Sequence, residues 1–319
     1  MKHLIVLNNS AGAQKQIDDF KNQVDEAFKG LDYEIYITPA PRAVIPFLKE
    51  YLTKNKKETV RVYACGGDGT IHEVVNGMVG YKNAELAIMA LGTGNDFVKI
   101  YAKTNDYDEI VKGKAGENRF KNFTNLINGT VEEIDLSKLT AEGHEEAWYS
   151  INVINFGFDA IVGVKGNENK LKGKKNPYGP AAIIPAILAG RFNNIIIKAD
   201  GEQLNKKKML LGSLGQGQWV GGQYHAQPHS DNKDGLIDVM MLKCMSLAKL
   251  MIAYFTPYTK GQHLDSEKLM KKIVYRRAKV VEMESKKPFN VCVDGEILKS
   301  DHYRVEVMPK ALKFVVPND

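Results

Sequence analysis

Gly66-Gly67-Asp68-Gly69-Thr70 places three glycines around one aspartate, directly after the apolar run 60–64. Lacking Cβ atoms, the glycines let backbone N–H groups approach phosphate oxygens closely. Asp68 would repel a phosphate unaided, so an acid in this turn calls for a divalent cation between the two. Gly92-Thr93-Gly94-Asn95-Asp96 repeats the design after the run 86–91, with Thr93 and Asn95 as uncharged donors and Asp96 as a second acid. Either turn alone also fits a tight connection with a capping side chain. Two in succession, each with its acid, point instead to a bound phosphate compound and a metal.

Such turns need a frame that aims them at one place. Residues 4–7, 33–38, 60–64 and 86–91 read as short buried strands. Between them Ile17, Phe20, Val24 and Phe28, then Val44, Phe47, Leu48, Tyr51 and Leu52, recur at helical spacing, and a third helix starts near Ile71. Strand and helix alternate, which calls for a doubly wound parallel sheet covered by helices. In that architecture ligands bind at the carboxyl ends of the strands, where both glycine turns fall.

The rhythm changes after about residue 126. Runs 131–136, 148–155, 195–199, 209–214, 237–242, 274–283 and 290–293 read as strands, many separated by Asp-Gly turns such as Asp234-Gly235 and Asp294-Gly295. Helical stretches are few, the clearest being 247–255. The expectation is an α/β nucleotide-binding domain over residues 1–127 and a mainly β, sandwich-like domain over 128–319. The last run, 312–316, pairs within the second domain or returns to the first.

Composition narrows the field further. The chain has 319 residues, 44% hydrophobic and 26% charged, enough for two unstapled cores. Cys65, Cys244 and Cys292 are widely spaced with no CxxC pair, which argues against a disulfide framework or zinc site and suits a reducing cytosol. Residues 4–7 are too short for a secretory signal, and the apolar stretch 181–190 is about half a membrane span and contains Pro185. The excess of 44 basic over 38 acidic residues is mild. Its placement is more telling, because Lys165, Lys170, Lys172, Lys174 and Lys175 cluster, as do Lys206 to Lys208. Such patches suit phosphates or an anionic bilayer, and no aromatics interleave with them as nucleic-acid binding would favour. No GxxxxGK[ST] is present, and Phe97 stands where a dinucleotide fingerprint needs its third glycine. Gly215-Gln216-Gly217 is weaker still, and Pro228 between His225 and His229 disfavours a helical metal pair there.

Residues 66–77, Gly66 to Gly77, and 91–97, Leu91 to Phe97, resemble the catalytic domain of the diacylglycerol kinase family, which includes soluble bacterial lipid kinases and the sphingosine and ceramide kinases. Asn8-Asn9-Ser10-Ala11-Gly12 is similar to the family's opening Asn-Pro-x-x-Gly turn, with Asn9 in place of proline. Asn155-Phe156-Gly157-Phe158-Asp159-Ala160, the segment 231–239 and Val293-Asp294-Gly295-Glu296 resemble its second-domain motifs. Ala90 and Lys99 depart from the proline and arginine usual around the second turn, and lysine keeps the charge without the bidentate fork.

The resemblance implies an ATP- and Mg²⁺-dependent lipid kinase with its active site in the cleft between the domains. Asp68 would organise the metal on ATP, and Asn8, Gly66, Gly67, Gly69, Thr70, Gly92, Thr93, Gly94 and Asn95 would line the nucleotide site. Asp96 would orient groups near the transferred phosphate, and Glu296 would serve as catalytic base. A structural Mg²⁺ in the second domain would map to Asp231, Asp234 and the Leu236 carbonyl. The expected partners are ATP and a lipid, diacylglycerol first, at the inner face of a membrane that a cytoplasmic enzyme visits transiently. No nucleic acid is expected, and a homodimer is left open. The rival readings are a soluble-substrate kinase such as NAD kinase, and a non-catalytic nucleotide- or membrane-binding protein. An apolar slot for the lipid is expected in the β domain or along 178–190, the latter reading also as an ordinary core helix.

Overall fold

The computed structural model describes residues 1–8, 14–174, 180–190, 193–244 and 258–319. The expected helix over 247–255, most of the opening turn at 9–12, Lys175 and residues 178–179 of the apolar stretch lie outside that set. The chain divides into two compact units: Met1–Ile134 with Lys310–Asp319, and Asp135–Pro309.

In the first unit β1 (Lys2–Asn8), α1 (Gln14–Ala27), β2 (Tyr33–Thr38), α2 (Val44–Lys54), β3 (Val60–Gly66), α3 (Asp68–Met78) and β4 (Ala84–Ala90) alternate as their periodicity predicts. β1 pairs in parallel with both β2 and β3, and β3 with β4, giving the order β2-β1-β3-β4. The strand order reverses between β1 and β3, which makes their carboxyl ends the topological switch point. β3 and β4 are buried along their whole length, as a sheet covered on both faces requires. Phe28, Tyr63 and Phe123 meet edge-to-face in that core. Arg61 on β3 is buried against Glu85 on β4 at 2.8 Å and also donates to the Leu126 and Ile127 carbonyls. Two short helices, α4 (Tyr107–Val111) and α5 (Phe123–Ile127), are capped by Asp106 and Asn122, whose side chains accept from Glu109 N and Asn125 N.

The second unit is antiparallel. After β5 (Thr130–Ala141) the chain forms β6 (Trp148–Ser150), β7 (Val153–Gly157), α6 (Phe158–Leu171), α7 (Pro180–Gly190), β8 (Ile196–Ala199), β9 (Glu202–Gln203), β10 (Met209–Gly215), β11 (Ile237–Lys243), β12 (Ile273–Ala278), β13 (Val280–Val293) and β14 (Glu296–Val316). Strands pair in the order β12-β11-β10-β7-β13-β14. Val281 to Glu284 of β13 pair with β8, whereas Val291 to Val293 pair with β7, so one strand serves two sets of neighbours, as at a sandwich corner. β11 is buried on both faces: Val239 and Met241 enter one core with Ile154, Val291 and Tyr303, while Met240 and Leu242 join Phe158, Ile183 and Leu211 in another. The end of β14 belongs to the first unit, where Lys313 and Phe314 pair in parallel with Glu85 and Leu86 of β4.

Three differences from the sequence reading have physical causes. The run 148–155 is two strands, broken at Ile151 and Asn152, whose N–H groups bond a carboxylate instead of a neighbouring strand. Runs 274–283 and 290–293 regroup, with the break at Lys279 and β13 continuing through an irregularity between Glu284 and Phe289. The Gly/Asn/Lys-rich stretch over 163–171 is part of helix α6, which low intrinsic propensity did not announce. Tertiary packing overrides it, since Gly163 lets the helix approach Cys292 closely.

Candidate active site

Asn8 ends β1 and Gly66 ends β3, so both stand at the switch point. The Asn8 amide donates to the Thr70 hydroxyl at 2.9 Å, tying the end of β1 to the first turn of α3. Gly67 caps α3, with its carbonyl accepting from Thr70 N and Ile71 N. Asp68 therefore sits in the first turn of that helix, where an acid is favoured and free N–H groups point outward.

The second turn packs directly on the first. Leu91 N–H donates to the Gly66 carbonyl at 3.1 Å, and Asp96 N–H donates to Asp68 Oδ1 at 2.9 Å. A Cβ on Gly92 would lie 2.5 Å from Gly67 Cα, so this approach is open to glycine alone. A Cβ on Gly94 would lie 2.7 Å from Asp68 Oδ2 and 3.6 Å from Asp96 Oδ2, which shows both carboxylates converging on one small space. Asn95 adopts a left-handed φ of 49°, and its buried Oδ1 has no hydrogen-bond partner. Thr93 and Gly69 are exposed at the rims of their turns. Oxygen donors alone, one of them orphaned, suit a hard cation such as Mg²⁺.

In the sequence Lys99 stands out only as a departure from a motif. Its ammonium is buried 3.0 Å from Asp96 Oδ1, with the side chains 3% and 9% exposed. It offsets part of the charge that the two converging acids concentrate. Removing it would leave a buried acid uncompensated. The three-residue spacing from Asp96 was the available signal, since it puts both on one face of a single turn.

The second unit holds the remaining candidates. Val293 pairs with Glu296 across Asp294-Gly295, whose φ values of 49° and 99° make a two-residue hairpin turn. Glu296 is exposed at the start of β14. Asp294 is turned inward, and its carboxylate accepts from Ser150 Oγ (2.6 Å), Ile151 N (3.0 Å), Asn152 N (3.1 Å) and Val153 N (3.1 Å).

Asp231 and Asp234 share one turn, where Asp231 Oδ1 accepts from Lys233 N and Asp234 Oδ1 from Leu236 N. The Leu236 carbonyl accepts from Gln216 Nε2 at 3.1 Å. The donor set is all oxygen, as Mg²⁺ prefers, but Asp234 is paired with the Arg277 guanidinium, which also lies 3.7 Å from Asp238. Among the described residues no group of three or more His, Cys, Asp or Glu could hold a metal ion. Asp135, absent from the sequence candidates, accepts from Gly235 N at 2.7 Å and supports the same turn. Burial pushes the carboxyl of Asp238 up to about 6.

Burial likewise raises Asp159 at the start of α6 to about 6, against the opposing hydrogen bond from the Tyr258 hydroxyl. His225, stacked on Trp219, is lowered to about 4 by burial and the nearby His263 and His229. The thiol of Cys292 is pushed up to about 12, so it is inert.

Comparison with known proteins follows the same two-part division. Residues 2–139 match the model described as the diacylglycerol kinase catalytic domain, and residues 152–316 that described as the YegS C-terminal NAD kinase beta sandwich-like domain. A diacylglycerol kinase of Mycobacterium tuberculosis (strain CDC 1551 / Oshkosh) is 26% identical over 265 residues, covering 82% of this chain and 78% of its own. A probable lipid kinase YegS-like protein of Xanthomonas oryzae pv. oryzae (strain MAFF 311018) is 28% identical over 265 residues, covering 81% and 79%. The crystal structure of a putative diacylglycerol kinase from Bacillus anthracis str. Sterne superposes with a TM-score of 0.71 at 20% identity, over 99% of this chain and 97% of that one, a likeness of fold.

Proposed function

The chain belongs to the diacylglycerol kinase catalytic-domain family and is a phosphotransferase of the lipid-kinase class with ATP as co-substrate, and from that premise we propose that it transfers the γ-phosphate of ATP, with Mg²⁺, to a lipid hydroxyl, diacylglycerol first. One observation carries the reading: two glycine turns, each with its acid, interlock at the switch point of a parallel sheet.

Phosphoryl transfer asks the protein mainly for positioning and charge neutralisation. The backbone around Gly67 and Gly69 and the first turn of α3 present N–H groups to phosphate oxygens. Asn8, Thr70, Thr93 and Asn95 surround the same end of the sheet with uncharged polar groups. A divalent cation at Asp68 would supply neutralisation of charge on the transferred group. Asp96, held by Lys99, steadies Asp68 through its own N–H. Glu296 takes the hydroxyl proton as that oxygen's electron pair forms the new P–O bond and the bond to the ADP oxygen breaks. Asp231, Asp234 and the Leu236 carbonyl would hold a second, structural Mg²⁺.

The exposed Lys172, Lys174 and Lys206 to Lys208 support a working position on the water side of an anionic membrane. Among the described residues no helix is long and apolar enough to cross one. Ile183 and Ala186 of α7 pack with Phe158 of α6 and with Tyr258 in a buried apolar core, and we place the lipid chains against the outer face of α7, where Ile184 is exposed.

The test is labelled ATP and Mg²⁺ with diacylglycerol, ceramide, a sphingoid base and phosphatidylglycerol in mixed micelles, and NAD as the soluble acceptor, with products separated by chromatography. Diacylglycerol is expected to be labelled fastest. Label on NAD alone would move the reading to a soluble-substrate kinase. ATP binding without any labelled product would leave a nucleotide-binding protein.

A further inference from the structure

A carboxylate two residues before the proposed base would be the natural substitute for it, since both acids sit at the same hairpin. The geometry of the turn argues otherwise. A carboxylate offers about four lone-pair sites. Asp294 receives four hydrogen bonds, three on Oδ1 from Ser150 Oγ, Asn152 N and Val153 N and one on Oδ2 from Ile151 N. Three donors saturate Oδ1 and a fourth holds Oδ2, so this carboxylate is tied into the protein rather than held out to a substrate hydroxyl.

The donors come from a single place. Ser150 ends β6 and Val153 begins β7, and between them lies the break at Ile151 and Asn152. The break is the socket for this one side chain. Asp294 N–H in turn donates to the Val153 carbonyl at 3.2 Å, and the Asn167 amide on α6 donates to the Gly295 carbonyl at 3.3 Å. Both central residues of the hairpin are thus tied to different elements, and the next residue is Glu296. Asp294 also holds a left-handed φ of 49°, a conformation that costs a non-glycine residue energy unless its surroundings impose it.

We infer that Asp294 is the positioning residue of the reaction: its carboxylate, seated in the Ser150 to Val153 socket, locks the hairpin turn so that Glu296 leaves it in one fixed direction. This rests on the reading of Glu296 as the proton acceptor. A general base displaced by about 1 Å loses on the order of 10²-fold in rate, so the socket acts on turnover rather than on nucleotide binding.

A double-mutant cycle tests it. Asp294→Asn, Glu296→Gln and the double variant are compared for turnover under saturating substrates, for ATP affinity by calorimetry and for melting temperature. Asn retains an acceptor oxygen and tolerates the left-handed backbone, so the fold is expected to survive. Asp294→Asn should lower kcat by about 10- to 10²-fold with ATP affinity unchanged, and the double variant should be no slower than Glu296→Gln alone. Ser150→Ala, which removes one donor and neither acid, should give a milder kcat loss and the same non-additivity, and it carries the test if Asp294→Asn does not fold. Losses that multiply in the double variant would give Asp294 a chemical role of its own and overturn the inference. So would a melting-temperature drop without loss of kcat in the folded protein. If Glu296→Gln keeps its rate, the assignment of the base falls and takes this inference with it. If Glu296→Gln loses rate and Asp294→Asn does not, only the inference falls.

Discussion

The two units place their acids by opposite means. In the first, Asp68 and Asp96 are brought together by backbone shape: Gly67 and Gly92 approach so closely that no Cβ fits, and the link between the acids runs through a backbone N–H. In the second, acids are placed by their own hydrogen bonds, Asp294 in a socket of four donors and Asp231 and Asp234 by capping the turn they share. A site built from missing side chains fails when atoms are added. A site built from polar contacts fails when they are taken away. On the reading proposed above the chemistry needs both, and the difference sets which substitution harms which unit.

The largest expected effect is on the exposed acid that the second unit's contacts aim. Glu296→Gln keeps shape and hydrogen bonding but accepts no proton, and should lower lipid phosphorylation by about 10²- to 10⁴-fold while ATP affinity by calorimetry stays put. A rate within a few-fold of the parent would remove Glu296 from the chemistry, leaving the second unit with structural acids only.

Asp68→Asn comes next, at about 10²-fold or more. The asparagine oxygen can still accept from Asp96 N–H, so the turn-to-turn link and the melting temperature should persist while charge neutralisation is lost. Retained turnover would return the first glycine turn to a purely structural role.

Gly92→Ala probes the backbone side of the comparison directly. Its Cβ would force the turns apart at Gly67, at a cost of about 1–3 kcal/mol, the range for overpacking. ATP affinity should fall about tenfold, since 1.4 kcal/mol is a factor of ten. If calorimetry finds ATP affinity intact, the close approach serves packing and not the nucleotide.

These glycines also mark what was legible beforehand. Spacing discloses the first unit's alternation of strand and helix and its two glycine turns, which are consecutive residues at strand ends, whereas the switch point emerges only from the strand pairing. The second unit resisted for a physical reason: its placements link residues far apart in sequence. Nothing near Ser150 announces that its hydroxyl and the next three N–H groups will meet a carboxylate 144 positions later. The same long-range partnership split the expected strand at 148–155. Helix α6 is not legible in the sequence because Gly163, Gly166, Asn167 and Asn169 lower its propensity, and packing on β13 supplies what the local sequence lacks. The Asp294-Gly295 turn was visible because that dipeptide carries its own backbone conformation.

A smaller effect should appear as pH dependence of stability, again in the unit that relies on polar contacts. Burial raises Asp159 to about 6, whereas an unfolded aspartate titrates near about 4. Between those values the folded state keeps a proton that the unfolded state releases. Stability from this group is therefore full below about pH 4, falls as pH rises to about 6, and stays lower above. Asp159→Asn never ionises and can still accept from Tyr258. Thermal melts should find it equal to the parent at low pH and a few degrees more stable at pH 8, and equal melting at both would place the carboxyl in a more hydrated setting.

The smallest expected effect lies at the turn that holds Asp231 and Asp234, where the second unit's reliance on contacts becomes a competition. Arg277 pairs with Asp234, so a divalent cation binding Asp231, Asp234 and the Leu236 carbonyl must first displace a guanidinium. Stabilisation by a ligand follows its concentration relative to its dissociation constant, so weakening the competitor should raise the Mg²⁺-dependent melting shift. The measurement is melting temperature against Mg²⁺ without nucleotide, in an Asp68→Asn background that silences the first unit. Arg277→Met should show a larger shift than its background, and Asp234→Ala should show none, with lipid phosphorylation by Asp234→Ala in an otherwise unchanged chain reduced only a few-fold. Identical shifts in all three would mean that the cation binds elsewhere. A larger shift in Asp234→Ala than in its background would mean that Arg277 itself fills the cation's role there, and that the turn is held by an ion pair.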